Sequence, residues 1–162
     1  MSTAPTDPAP ASPAASTAAE DPLAFQLLNE VGIIDQLARN RAAQLLGPAL
    51  NLSQFVVLNH LTRLGSERSL VQIANAIQVT KAAMTNTVAR LQAKGLLTVR
   101  PDPDDGRGKR VGLTAAGQAA RAQAVASLGA GLAEVGALAT GAELAETLVV
   151  LRRLRIWFDD HR

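Results

Sequence analysis

The chain has 162 residues, a formal charge of +2, 48% hydrophobic and 2% aromatic residues, and no Cys. That length suits one domain with a tail, and its core must come from Leu, Val, Ile and Ala. Without Cys, disulfides, thiolate metal sites and a cysteine redox switch are excluded; with so small a net charge, any affinity for a polyanion depends on where the cations are placed.

Residues 1–22 are rich in Ala, Pro, Ser and Thr and carry acidic groups but no Lys or Arg. They have too little apolar surface to fold alone and read as a disordered tail. They lack the basic and apolar regions of a secretory signal. No later stretch reaches the roughly 18 uninterrupted apolar residues of a membrane span. The expected location is the cytoplasm, with no membrane partner.

Leu23, Leu27, Val31, Ile34, Ala38, Ala42 and Leu45 step by three and four, which predicts a long first helix within residues 23–50. Gly47-Pro48 ends it. Ser53 is the expected N-cap of a second helix through Leu64, closed by Gly65. Its Phe55, Val56, Val57, Leu58 and Leu61 cover more than one face, so it should be deeply buried. Ser69-Leu-Val-Gln72 fits a capping box for a short third helix with Leu70, Ile73, Ala74 and Ile77 inward. A break at Gln78-Val79 precedes a fourth helix, Thr80 to Lys94, whose buried stripe is Met84, Val88 and Leu91. Ala82, Asn86, Ala89, Arg90 and Ala93 point away from that stripe.

Two β-prone runs follow, Leu96 to Arg100 and Lys109 to Leu113, flanking a long charged loop of Pro, Gly and Asp whose tip projects Arg107. Residues 80–110 hold seven Lys or Arg against three Asp, a local basic surface of the kind a phosphate backbone requires. Thr114 is the expected cap of a fifth, long helix with Val125, Leu128, Leu132 and Val135 on one stripe, weakened by Gly129, Gly131 and Gly136. Thr140-Gly-Ala-Glu143, a second capping box, opens a sixth with Leu144, Leu148, Leu151, Leu154 and Phe158 inward.

A helix followed by a basic hairpin is the layout of a winged helix-turn-helix. The fold class is therefore mainly α with a small β-hairpin wing, the winged helix-turn-helix occupying residues 51–113. That domain has its own core, so the apolar stripes of segments 23–50 and 114–162 need another partner. A second copy of the chain is the economical one. The expected homodimer interface uses Leu27, Val31, Ile34, Leu148, Leu151 and Phe158.

Gly95-Leu96-Leu97, Arg100, Asp102-Pro103-Asp104-Asp105-Gly106-Arg107 and Val111-Gly112-Leu113-Thr114-Ala115-Ala116-Gly117 together resemble the MarR family of bacterial transcription regulators over roughly residues 23–160. Many members have Arg where this chain has Gly106. The resemblance implies a homodimer joined through its terminal helices and a DNA-binding regulator, a repressor, on a pseudo-palindromic double-stranded operator. It also implies release by a small, often aromatic or phenolic anion, bound where the dimerisation helices meet the reading domain. Arg39, Asn40, His60 and Arg63 are the polar candidates for that effector site.

On the expected DNA-facing surface, small Ala residues such as Ala82 allow close approach, while Asn86 and Arg90 supply bidentate groups for base edges. Thr80, Lys81 and Thr85 lie near the positive end of the fourth helix, where a phosphate sits, and Ser69 joins them from the third. Arg107 is expected in the minor groove and Lys109 and Arg110 on flanking phosphates. Asp105 should pair with a nearby arginine and hold the wing tip in shape.

An enzyme is not expected. His60 and His161 are far apart in sequence, no acidic pair stands beside either with ligand spacing, and Gly106-x-Gly108 completes no phosphate-binding motif. His60 reads as a hydrogen-bonded core histidine and His161 as solvated. The Asp102, Asp104, Asp105 cluster reads as turn chemistry and charge pairing. No metal or cofactor is expected. The rival class is a winged-helix module that binds protein and not DNA.

Overall fold

The computed structural model describes residues 21–103 and 105–161, the side chain of Arg107 excepted. The disordered tail expected over residues 1–22 thus lies, up to residue 20, outside the described residues. The elements run α1 (Leu23–Leu45), α2 (Leu52–Leu64), β1 (Arg68–Ser69), α3 (Leu70–Ile77), α4 (Lys81–Ala93), β2 (Leu97–Asp102), β3 (Asp105–Leu113), α5 (Ala115–Gly131), α6 (Ala133–Gly136) and α7 (Gly141–Asp160). They fall into two compact units, one ending at Gln36 and one from Leu37 onward. The described part of the first is the N-terminal stretch of α1, with every residue exposed.

The second unit holds the core. Val57 and Leu58 of α2, Ile73 of α3, Met84 and Leu91 of α4 and Val111 of β3 are its fully buried side chains. In α2, Phe55 and Val56 are half-buried, so burial there is less deep than the apolar pattern suggests. The cap of α2 is also displaced from its expected place. Asn51, not Ser53, accepts the Gln54 N–H at 2.9 Å, and Gln54 Oε1 accepts the Asn51 N–H at 3.3 Å. Asn caps at least as well as Ser, and only Asn51 has a Gln three residues on to reciprocate. The boxes at Ser69 and Thr140 form as the sequence predicts.

β1, β3 and β2 make a small antiparallel sheet in that order. Ladder pairing runs from Leu97↔Leu113 to Pro101↔Lys109 and then shifts to Asp102↔Asp105. The long open tip expected between the strands is thus replaced by longer strands, with Gly106 to Gly108 as the extra residues of an irregular bulge in β3. Glycine is tolerated in a strand where a bulge bends it.

The expected long fifth helix stops at Gly131, and α6 follows Leu132. Val125 and Val135 of its stripe stay exposed. On α7 no residue is buried; Leu148 is 47% and Phe158 48% exposed, so the inward packing expected for this helix does not occur within one chain.

α5 starts hard against β2. A Cβ at Gly117 would stand 2.1 Å from the Leu96 carbonyl oxygen. The Thr114 hydroxyl accepts the Gly117 N–H at 3.0 Å and donates to the Gly95 carbonyl at 2.8 Å, which fixes this approach. Gly117→Ala should therefore cost about 1–3 kcal/mol through forced backbone movement. Denaturant unfolding checks this; an unchanged midpoint would mean that α5 slides away at no cost.

Candidate nucleic-acid interface

α4 is turned by its own core. Met84, Val88 and Leu91 are buried, whereas Lys81, Ala82, Thr85, Asn86, Ala89, Arg90 and Ala93 are all exposed. The turn into this helix uses Gln78, which takes the left-handed conformation (φ 59°) at the end of α3. Thr80 then caps α4, its hydroxyl accepting the Ala83 N–H at 3.2 Å. Thr85 donates its hydroxyl hydrogen to the Lys81 carbonyl at 2.8 Å. The far end is fixed by Lys94, whose ammonium donates to the Ala49 carbonyl at 2.7 Å and to Gln54 Oε1 at 3.1 Å.

The cations of the basic segment divide into two groups. Arg100 is held by Glu67, its Nε donating to the two carboxylate oxygens at 3.2 and 3.1 Å and its Nη2 to one of them. The Arg100 hydrogen bond holds the Glu67 carboxyl below its ordinary range, and Glu67 in turn raises Arg100. Arg110 pairs with Asp102, Nε to Oδ2 at 2.9 Å, and the Asp102 side chain is only 6% exposed. Lys81, Arg90 and Lys109, by contrast, are exposed and form no side-chain hydrogen bond or ion pair among the described residues.

One cleft of about 490 Å³ joins Ser69, Lys81, Thr85 and Lys109, with Asp102, Asp105 and Gly108 on its wing side. Of the expected DNA-facing residues, Ser69, Lys81, Thr85 and Lys109 thus meet there, and Ala82, Asn86 and Arg90 lie on the exposed face of α4. Arg110 is turned into the wing. The backbone of Arg107 lies in the bulge of β3, and its side chain lies outside the described residues. Asp105 shares the tip with Asp102, which makes the charge pairing expected of this cluster through its ion pair to Arg110. Glu67 carried no sequence signal beyond its charge next to β1.

A second cavity, about 440 Å³, lies between the end of α1, α2, α3 and α4. Arg39, His60 and Arg63 line it; Asn40 does not. His60 is half-buried, its Nδ1 lying 3.4 Å from Arg63 Nη2, so it belongs to a cavity wall and not to the core. Asn59, also on the wall, accepts from Arg121 Nε and Nη2 at 3.1 and 2.9 Å, which ties α2 to α5. Ala83, Met84 and Thr87 close the cavity from the inner side of α4. Among the described residues no His, Asp and Glu cluster could hold a metal ion, and no helix is long and apolar enough to cross a membrane.

A helix-turn-helix of α3 and α4 with a β2–β3 wing defines a winged-helix protein. The sequence pattern of the MarR family matches residues 50–108. Among solved structures, wild-type MarR from E. coli in its apo form is similar at 26% identity and a TM-score of 0.68, over 83% of this chain and 97% of that one. A mutant of the same protein complexed with operator DNA is similar at 25% identity and a TM-score of 0.63, over 81% of this chain and 94% of that one. A MarR-family transcriptional regulator from Rhodococcus sp. RHA1 shares the fold, with a TM-score of 0.71 at 16% identity, over 84% of this chain and 96% of that one. Residues 50–108 thus carry the match to the MarR family, and the fold is the one that MarR-family winged-helix transcription regulators share.

Two expectations follow for the wing. Asp102→Ala strips Arg110 of its partner and should destabilise the fold by about 1–3 kcal/mol in chemical denaturation; no loss would mean that the pair is incidental. The Glu67 link has a pH signature. A carboxyl whose folded value is depressed adds stability above its unfolded value and loses it as pH falls through the folded value. The difference in melting temperature between the parent and Glu67→Gln should therefore shrink as the solution is acidified below the ordinary glutamate range. A difference independent of pH would contradict the pairing.

Proposed function

We propose that the protein acts as a homodimeric repressor, which occupies a pseudo-palindromic operator and leaves it when a small anionic effector binds. The observation that carries the DNA reading is the outer face of α4. It combines small side chains with Asn86 and Arg90, whose polar groups have no partner among the described residues, beside unpaired Lys81 and Lys109. Such a face meets a major groove without first breaking internal bonds. In this reading α4 enters the groove, Ser69, Thr80, Lys81, Thr85 and Lys109 bind phosphates, and Arg107 reaches the minor groove. Arg110 is reassigned from phosphate contact to wing shape, because leaving Asp102 would strand a buried carboxylate.

The homodimer is supported by rows of apolar side chains that one chain leaves in water. On α7 these are Leu148, Trp157 and Phe158, with Leu151 half-covered, and on the N-terminal part of α1 they are Leu27, Val31 and Ile34. Exposed apolar patches of this kind mark partner surfaces. Two-fold symmetry would set two α4 helices on half-sites about one helical turn apart. For the effector, the cavity behind α4 offers Arg39, Arg63 and His60 above an apolar floor, a fit for an aromatic carboxylate or phenolate. The proposed place of action is the cytoplasm.

Salt decides between this reading and a protein-interaction module. The parent should bind duplex with a steep fall in affinity as salt rises, and Lys109→Ala should reduce the slope by about one per half-site. Arg107→Ala should weaken the selected operator by about 1–3 kcal/mol per half-site. Binding to no duplex at low salt would favour the interaction module. For assembly, charge substitution of both Leu148 and Leu151 should give a folded monomer by sedimentation that no longer binds operator; a folded parent monomer at micromolar concentration would refute the dimer.

A further inference from the structure

We infer that Asn86 sets the sequence preference of each half-site and that the base it selects is adenine, with thymines beside it. This rests on the reading of α4 as the helix that enters the groove.

The exposed face of α4 has few groups able to read a base. Around Asn86, the neighbours one turn away on this outer face are Ala82, Ala89 and Arg90. The two alanines have no polar group. They can only let the helix approach closely and present methyls, which suit the C5-methyl of thymine. Thr85 has its hydroxyl hydrogen committed to the Lys81 carbonyl at 2.8 Å. Lys81, in the first turn, is a flexible point charge better suited to a phosphate than to a base edge. Arg90 and the exposed amide of Gln92 lie one turn or more further toward the C-terminus, and it is the N-terminal part of a recognition helix that reaches base edges. That leaves Asn86.

Its amide is exposed and makes no internal hydrogen bond among the described residues, so one donor and one acceptor face outward together. Adenine alone presents a matching acceptor and donor on one base, N7 and N6–H, in the major groove. Guanine offers two acceptors there, cytosine a donor and thymine an acceptor, so each leaves the amide half-satisfied. The exposure of Asn86 also means that replacing it leaves the core of α4 untouched.

The test is selection from a random duplex library with purified full-length protein, followed by titration at two salt concentrations. The parent should select sites with a fixed adenine in each half-site and thymines adjoining it. Replacing that adenine should weaken binding roughly 5- to 150-fold, the range of one good bidentate contact. Asn86→Ala should lose the preference at that position while the other positions of the selected site keep theirs. Asn86→Arg should move the preference to guanine, whose two acceptors fit a guanidinium. Recovery of the parental sequence by Asn86→Ala overturns the assignment, as does a parental site with no fixed adenine. A parent that binds no duplex at all overturns the DNA reading itself, a separate result.

Discussion

Burial of Met84, Val88 and Leu91 is the constraint on which the rest of the molecule's function depends. A helix has one rotation about its axis, and three apolar side chains locked among Val57, Leu58 and Ile73 leave no choice of it. Once the inner face is fixed, the outer face follows from sequence alone: Lys81, Ala82, Thr85, Asn86, Ala89 and Arg90. Specific chemistry at a surface thus originates in the least specific force, the removal of aliphatic carbon from water.

Charge in the neighbouring sheet obeys a different logic. Net basicity overstates what a phosphate backbone would meet, because two arginines are spent on the wing itself. Arg100 bridges to Glu67 ahead of β1, and Arg110 bridges to Asp102 at the tip. β1 is only two residues long and pairs with β3 at two positions, so on that side of the sheet side-chain pairs carry part of the load. Among the described residues of the basic segment, the cations left without a side-chain partner are Lys81, Arg90 and Lys109, all at exposed positions.

Helix positions were legible wherever a cap and a period agreed. Ser69 with Gln72 and Thr140 with Glu143 placed two helix starts correctly. Asn51 was overlooked in favour of Ser53 because both are good caps, and only the reciprocal bond of Gln54 separates them. The extent of the wing strands was hidden by glycines, which read as loop in a sequence but serve here as bulge residues. Leu144, Leu148 and Phe158 were correctly seen as one apolar stripe on α7, yet no pattern says whether such a stripe meets its own chain or another surface. Charge pairing of the Asp cluster with the wing arginines was legible and Asp102 makes it, whereas Glu67 was invisible as a wing clamp, since an ion pair between residues far apart in sequence leaves no local signature. His60 sits on a cavity wall because cavities arise from what is missing between helices, which periodicity cannot register.

The oxygen of Gln54 closes two helix ends at once. It accepts the Asn51 N–H that begins α2 and the Lys94 ammonium that follows α4. The two helices consequently share a latch, so fraying the start of α2 takes away one of the two bonds that hold the Lys94 ammonium at the finish of α4. A bond shared in this way couples local opening at the two helix ends. The outward-facing helix then inherits the rigidity of the most buried one, although most of its own surface lies in water.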